Sequence, residues 1–325
     1  MAYTAGDPIL DDEYNTFVNS SSDPFGYNHF AGPGALQYGL NQSTISTVSA
    51  GDTINAAHWN SLFTGMDNIA NHTNDSMTAR GQVTAGDPIK IKAAVVANLA
   101  TLAASVAGGS VNATALTESS ELRSAVAGAR FSATHIVEHS VTFANGNNLR
   151  FFFNAGGKIR IQLTRNGNGG SSATDKDDSV DELITAMGNF DIGAQVSTRS
   201  GSGENLQTNG LANGVDDLGT GYTTLMVLRQ SSGTYTSMDL KIEAKVDNAT
   251  YGSAVKVTVK CSVIDADGGD ILYTSGNTSN IDQFENFIGT TDWALHTMNP
   301  TTAQGLNPVY GISASAIESN NVANG

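Results

Sequence analysis

The spacing of apolar residues along the chain changes near residue 128. Before that point it follows the three- and four-residue intervals of amphipathic helices. One set begins after Asp52 and marks a helix of about 20 residues, and a second begins after Asp87 and stops at Gly108-Gly109. The two sets are Ile54, Trp59, Leu62, Phe63, Met66, Ile69 and Ala70, then Ile89, Val95, Val96, Leu99, Leu102 and Val106. With an acidic helix over 8–19 and a short helix near 118–127, the pattern predicts a helical module at residues 1–127.

A recurring hexapeptide stands before each of the first three predicted helices. The letters TAGDPI occupy residues 4–9 and again 84–89, and a variant, SAGDTI, occupies residues 49–54. Glycine permits a tight turn, aspartate accepts the free N–H groups at a helix start, and proline fits the first helical position. We therefore predict that each hexapeptide begins a helix and that its aspartate is the cap. The unequal spacing of the copies argues against a solenoid repeat.

From residue 128 onward, apolar and polar residues alternate with the period of β-strands. The clearest stretches start near residues 133, 147, 221, 237 and 254, and Gly, Asn and Asp bound them. One helix, announced by the acidic run DKDDSVDE, interrupts them at about 179–188. The sequence predicts an α+β chain, in which the N-terminal helical module of residues 1–127 is followed by an antiparallel β-sandwich domain at residues 128–325.

The segment LRFFFNAGGKIRIQL predicts a β-hairpin over residues 149–163. The turn would lie at 154–157, where Asn and Gly tolerate positive φ angles. One face of the hairpin would carry the apolar residues Leu149, Phe151, Phe153, Ile159, Ile161 and Leu163. Phe152 would lie on the opposite face, beside Arg150 and Arg160. An aromatic residue there is suited to contact with a second layer or another subunit.

Composition and charge exclude several classes of partner. The chain has 325 residues, of which 39% are hydrophobic and 14% charged, and its net charge is −15. This charge disfavours nucleic-acid backbones and anionic membrane surfaces. The start of the chain has no secretory pattern, and the apolar stretch at 93–109 is too short for membrane insertion. Cys261 is the single cysteine, so we expect a buried thiol in a protein folded in a cytoplasm.

Three short motifs suggest chemistry, and each has a simpler structural interpretation. HIVEH at 135–139 matches a zinc-peptidase string, but it lies in a predicted strand, where Glu138 faces away from both histidines. DADGGD at 265–270 could hold calcium, but it lacks the rest of a binding loop and is better explained as a turn. DKDDSVDE could attract a cation, but acidic residues also favour a helix start. We therefore predict no enzymatic activity, no catalytic residue, no cofactor and no metal.

Two passages together resemble a known class of proteins. One is VSAGDTINAAHWNSLFTGMDNIANHTN, which carries a W-N-x-L core, and the other is VTFANGNNLRFFFNAGGKIRI. In this order, behind an acidic helix and a Gly- and Tyr-rich loop, they resemble virion structural proteins of tailed bacteriophages. The likeness is greatest to tail-associated proteins of cyanophages and other marine phages, and it covers roughly residues 1–165. It implies a structural role in a virion and assigns no catalytic residue.

The resemblance favours a symmetric homo-oligomer, a trimer or hexamer, that docks to other virion proteins in a tail, collar, baseplate or short fibre. It would be assembled in the host cytoplasm, without nucleic-acid binding or membrane insertion. The helices of the first half are few and Ala-rich, so we expect them to pack against other copies or neighbouring virion proteins. The candidate subunit-interface residues are Trp59, Phe63, Arg150, Phe152 and Arg160.

Two other functions stay open at this stage. The β-domain could be an adhesin for host-surface glycan, in which case Tyr222, Tyr235 or Trp293 could stack on sugars. Binding of glycans or cells by residues 128–325 would favour that hypothesis. The chain could instead be a depolymerase or peptidase that uses HIVEH or the acids at 265–270. Loss of activity on replacing His135 or Asp267 would favour an enzyme.

Overall fold

A computed structural model describes residues 11–23, 25–78, 81–85, 92–119, 123–127, 134–166, 175–233, 235–265, 290–307 and 323–324. The chain divides into two compact units. Unit 1 comprises Met1–Glu118, Asn145–Gly157 and Met298–Ile312, and unit 2 comprises Ser119–Ala144, Lys158–Thr297 and Ser313–Gly325. The division predicted at residue 127 therefore omits two later segments that return to unit 1.

Unit 1 is built mainly from helices. They are α1 (Asp11–Asn19), α2 (Tyr27–Phe30), α3 (Ala56–Thr73), α4 (Lys92–Ala107) and α5 (Gly146–Asn154), with short 3-10 turns at Ala113–Ala115 and Thr302–Gln304. Strand β1 (Leu116–Glu118) pairs antiparallel with residues 298–300. One buried cluster joins α1 through α5, with Trp59, Leu62 and Phe63 among its members. The helices of the first half therefore share a core with a later segment of the same chain, which contributes Phe151 and Ala155.

Helix α5 replaces the first strand of the predicted hairpin, so that prediction was wrong. The Asn145 side chain accepts a hydrogen bond from the backbone N–H of Asn148 at 2.9 Å and caps the helix. The consecutive residues Phe151, Phe152 and Phe153 are all buried. Three adjacent buried aromatic residues do not alternate as those of a half-buried strand do, and α5 buries them together with Leu149, Arg150 and Asn154. The second half of the prediction is confirmed, because Ile159, Ile161 and Leu163 are buried on one strand.

Among its described residues, unit 2 contains two antiparallel sheets and one helix, which confirms an α+β fold with sandwich-like packing. In the first sheet the strand order is β11-β4-β5-β6, with β2 also paired to β11, and in the second it is β12-β3-β10-β9-β8-β7. Helix α6 (Asp175–Met187) packs against β4, β8 and β9. The strands are β2 (Arg123–Ala127), β3 (Thr134–Thr142), β4 (Lys158–Asn166), β5 (Phe190–Ile192), β6 (Ser197–Arg199), β7 (Asn205–Asn209), β8 (Thr223–Arg229), β9 (Met238–Val246), β10 (Lys256–Asp265), β11 (Thr290–Pro300) and β12 (Ala323–Asn324), and a 3-10 turn lies at Val215–Asp217.

Two helix predictions need correction. The segment near 118–127 does not form the predicted helix, because Glu118 ends β1 and Arg123–Ala127 forms β2, which pairs with β11. Pairing with a neighbouring strand overrides the helix preference of an Ala-rich segment. Helix α6 begins at Asp175 rather than near residue 179, so all of DKDDSVDE lies inside the helix. No helix among the described residues is long and apolar enough to cross a membrane.

The hexapeptide at 49–54 forms a turn ahead of α3 and does not cap it. The Asp52 N–H donates to the Ser49 carbonyl at 2.9 Å, the Asp52 side chain accepts from the Ser49 N–H at 3.0 Å, and Gly51 has a φ of +90°. The cap is Asn55, which exchanges hydrogen bonds with His58 at 3.2 Å in each direction. The copy at 4–9 and most of the copy at 84–89 lie outside the described residues.

Candidate functional site

The loop at residues 33–40 wraps around the buried Arg150 side chain of α5. The Arg150 guanidinium donates to the Pro33 carbonyl at 2.8 Å and also to the Tyr38 carbonyl. Arg150 is buried although it is charged. A guanidinium carries five N–H donors in a fixed plane, so it suits a ring of carbonyl oxygens. Arg150 therefore fixes the path of the loop backbone.

Asn154, one turn further along α5, holds the same loop. Its side-chain amide lies 3.0 Å from the Leu36 carbonyl, 3.0 Å from the Tyr38 carbonyl and 3.1 Å from the Gly39 carbonyl. Arg150 and Asn154 share one face of α5 because residues four apart are neighbours on a helix surface. We call residues 33–40 with these two side chains the clamped loop.

The clamped loop has an unusual backbone conformation and presents one apolar side chain. Gly34, Leu36 and Gly39 have positive φ angles of 38°, 52° and 96°. A Cβ atom at Gly34 would lie 2.4 Å from the backbone nitrogen of Gly39, so only glycine fits there. A left-handed leucine costs on the order of 1–3 kcal/mol and persists only where the surroundings impose it. The Leu36 side chain is nevertheless 59% exposed, so its strained backbone does not serve to bury it.

Three half-buried rings accompany the loop. Phe25 stacks on His29 with ring centroids 4.6 Å apart, and Tyr38 lies 4.7 Å from Phe25 and 4.8 Å from His29. Desolvation lowers the pKa of His29 from its ordinary value. The neutral ring is therefore favoured at physiological pH, and the three rings form an uncharged aromatic cluster.

Elsewhere in unit 1, amide side chains hold irregular segments in the same way as neighbouring strands hold each other. In each case the side-chain oxygen accepts from a backbone N–H, and the side-chain nitrogen donates to the carbonyl of the same residue. The distances lie between 2.8 and 3.1 Å, and the pairs are Asn15 with Val48, Asn28 with Ile45, Asn60 with Val83, Asn98 with Thr78 and Gln42 with Asn307. We call these pairs amide clamps. Sequence reasoning missed them, although an asparagine beside the apolar stripe of a helix was a usable signal.

The residues predicted to form a subunit interface are used inside the chain. Trp59 packs against Tyr14 and Phe63, with ring centroids 5.6 and 5.7 Å apart, and both Trp59 and Phe63 are buried. Phe152 is buried as well. These three side chains are at most 1% exposed, so they offer no surface to a neighbour.

Arg150 and Arg160 also face partners within their own units. Arg150 belongs to the clamped loop and is buried. Arg160 donates to both carboxylate oxygens of Asp191, at 2.7 and 2.9 Å, and its side chain is 17% exposed. Arg160 therefore has only a small fraction of its surface available to another protein, and none of the five predicted residues marks an open interface.

The HIVEH string lies on strand β3, as predicted. His135 and His139 are buried on one face, opposite Val263 and Val259 of β10, and Glu138 lies on the other face, opposite Lys260. This arrangement separates the glutamate from both histidines, which the zinc-peptidase chemistry does not allow. Within the described parts of the chain, no three His, Cys, Asp or Glu side chains are grouped to hold a metal ion.

The remaining predicted features have structural surroundings. Cys261 is buried, and burial raises the pKa of its thiol, which makes the reactive thiolate unfavourable. Within DKDDSVDE, Asp181 accepts from Arg165, and Asp177 lies 3.8 Å from the same guanidinium. Residues 266–270 of DADGGD, Asp267 included, lie outside the described residues.

The aromatic residues considered for sugar stacking offer little open ring surface. Trp293 and Tyr235 are buried. The Tyr222 ring is contacted by two lysine ammonium groups, each 4.2 Å from its centroid.

No protein-family model matches the chain, and no curated protein or solved structure matches it either. The clamped loop is held in one conformation and exposes the Leu36 side chain.

Proposed function

We propose that the chain is a structural component of a tailed-phage virion, in a tail, collar, baseplate or short fibre. It acts by symmetric self-assembly and by docking to neighbouring virion proteins. The proposal rests on the resemblance of two sequence passages to virion structural proteins. The fold supports it through the structural role that the side chains of these passages have.

One observation carries the proposal. The first passage and residues 145–157 of the second lie in unit 1, where their polar side chains hold backbone. Arg150 and Asn154 of the second passage fix the Gly- and Tyr-rich loop. Asn60 of the W-N-x-L core clamps Val83 at 2.9 Å in both directions. An enzyme aims such groups at a substrate, whereas these groups are committed to the chain itself. That commitment favours a rigid part of an assembly.

Purified particles test the proposal directly. Particles from the virus that encodes the chain are banded in a density gradient, and their proteins are quantified by mass spectrometry. We expect the chain at a constant ratio to the major capsid protein through repeated purification, and as a symmetric feature in a cryo-EM map. If the chain stays with the soluble lysate and is missing from DNA-filled particles, the proposal is wrong.

A further inference from the structure

The polar face of the second sheet in unit 2 carries an ordered set of basic side chains. Strand register places Lys260 beside both Glu138 and Glu243, and Thr258 beside Lys245. Along β3, β8, β9 and β10 this face holds five basic and three acidic side chains. They are Arg229, Lys241, Lys245, Lys256 and Lys260, with Glu138, Asp239 and Glu243. We call this set the basic sheet face.

On this face the carboxylates lie deeper than the cations. Glu243 bonds Lys241 at 2.8 Å and Lys260 at 2.6 Å, but its side chain is only 10% exposed, against 28% and 22% for the two lysines. Asp239 is 13% exposed and its partner Arg229 42%. Positive charge is therefore the outer layer, and the acids below it orient the lysines.

Tyr222 further orders the centre of the basic sheet face. The ammonium groups of Lys245 and Lys260 each lie 4.2 Å from the centroid of its ring. Cation–π contacts of this kind hold lysine side chains in place without neutralising them. A lysine that is already ordered loses less conformational entropy when a partner binds.

We propose that the basic sheet face docks the acidic surface of a second copy of this chain. The whole chain has a net charge of −15, and this face has more basic than acidic side chains. The rest of the molecule is therefore more acidic than the total indicates, and every copy carries both halves of a complementary contact. A contact between two different surfaces of identical chains is head-to-tail, and it closes into a ring when the rotation allows.

This inference rests on the proposed function, because it supplies the self-assembly contact that the buried candidates do not. Charge complementarity of this kind acts mainly on association rate and specificity, and salt weakens it. A polyanionic glycan has the same charge chemistry as an acidic protein surface, so its binding is a competing outcome of the test.

Sedimentation velocity of the full chain at about 0.1 M and about 1 M NaCl tests the inference. We expect self-association at the lower salt concentration and its loss at the higher one. Lys245→Glu should raise the dissociation constant about tenfold or more. Lys158→Glu on β4 of the other sheet changes the net charge equally and should have little effect. If Lys245→Glu does not fold, judged by the fluorescence of the buried Trp293 in a Trp59→Phe background, Lys245→Gln takes its place with a smaller expected effect.

Three results would overturn the inference. The chain could be monomeric at both salt concentrations, or Lys158→Glu could weaken association as much as Lys245→Glu does. The third is a chain that binds heparin, used as a soluble polyanion, through Lys245 without associating with itself. Each leaves the particle measurement unchanged, so a chain that is present in virions but fails this test disproves the sheet-face contact alone.

Discussion

Units 1 and 2 use different side-chain interactions to hold their structures together. In unit 1, neutral amides and one buried guanidinium hold irregular backbone, as in the pairs Asn28–Ile45 and Asn60–Val83. In unit 2, charged side chains pair with each other across strands, as in Arg160–Asp191 at 2.7 Å and Arg229–Asp239 at 2.8 Å. The first kind of contact is insensitive to salt, and the second is screened by it.

The difference follows from where backbone groups find partners. Strands in a sheet satisfy their N–H and C=O groups through the ladder, so their side chains are available for ion pairs. Helices satisfy only their own backbone, and the extended segments between them still need partners. An asparagine side chain has the same donor and acceptor as a peptide group, so it can stand in for a neighbouring strand. Unit 1 uses this replacement repeatedly.

The two tryptophans allow the comparison to be measured unit by unit. Trp59 is buried in unit 1 and Trp293 is buried in unit 2. A Trp293→Phe background therefore makes fluorescence report unit 1 alone, and a Trp59→Phe background makes it report unit 2. The measurements below use urea unfolding in these two backgrounds, because a chain with two units need not unfold in one step.

Replacing Arg150 should give the largest effect. Arg150→Met keeps much of the side-chain volume but removes the charged donor to the Pro33 carbonyl and leaves the Tyr38 carbonyl with Asn154 alone. With about 1.5–3 kcal/mol for each hydrogen bond to a charged group, we expect unit 1 to lose about 3 kcal/mol or more. The control is Arg199→Met in unit 2, where a half-buried arginine donates to the Ala186 carbonyl at 2.8 Å. It should leave the Trp59 transition unchanged, and an equal loss there would contradict the assigned role of Arg150.

Acid should destabilise unit 1 through His72. This buried side chain contacts the Ala155 carbonyl through Nε2 at 3.0 Å, and desolvation lowers its pKa to about 4. In the unfolded chain the pKa of His72 is 6.5. As the pH falls below that value, His72 becomes protonated in the unfolded chain but stays neutral in the folded chain. Stability should therefore fall as the pH drops from about 6.5 to about 4, by about 3 kcal/mol, and this contribution should change no further below that range.

His72→Gln isolates that contribution. Glutamine can still donate to the Ala155 carbonyl but does not titrate, so the Trp59 transition should vary less with pH than in the parent. The comparison uses the difference between the two proteins at each pH, because carboxylates elsewhere also titrate in acid. A parallel pH dependence in both proteins would show that His72 is not the cause.

Sequence patterns predicted the helices and strands in which apolar residues recur with the spacing of one buried face. The helix at Trp59–Ala70 and the strands at His135–Val141 and Ile159–Leu163 were found because one face of each is buried and the other is not. The Phe151–Phe153 segment was predicted wrongly because all three side chains are buried. Burial on every side leaves no alternation of apolar and polar residues to detect. The Asn145 cap was the local signal that would have corrected it.

The clamped loop could not be predicted from local sequence. Arg150 and Pro33 are far apart in the chain, and their hydrogen bond depends on tertiary structure. Arg150 stood out in the sequence only as an unusual neighbour of Phe152, and exposure was the simpler expectation for a charged residue. The Gly and aromatic content of residues 23–43 indicated an ordered loop but not which side chains order it.

Removing one amide clamp should have an intermediate effect. Asn60→Asp keeps the acceptor for the Val83 N–H but replaces the donor to the Val83 carbonyl with a second oxygen. We expect unit 1 to lose about 1–3 kcal/mol, the usual range for an unsatisfied buried polar group. Asn71→Asp, an exposed position on the same helix, is the matched control. It should cost about 0.5 kcal/mol, because a negative charge near a helix C-terminus is mildly unfavourable. Equal losses at the two positions would mean that the clamp contributes little.

Breaking an ion pair of unit 2 should have the smallest effect and the only marked salt dependence. Arg229 and Asp239 form two hydrogen bonds of 2.8 Å across β8 and β9, but the Arg229 side chain is 42% exposed. Such pairs contribute about 1 kcal/mol or less. Asp239→Asn removes the charge at constant size, so the Trp293 transition should shift slightly at about 0.1 M NaCl and hardly at about 1 M. The Asn60→Asp loss in unit 1 should persist at both salt concentrations, since it arises from a missing donor. If the two losses instead respond to salt in the same way, the distinction between amide-held and charge-held units is wrong.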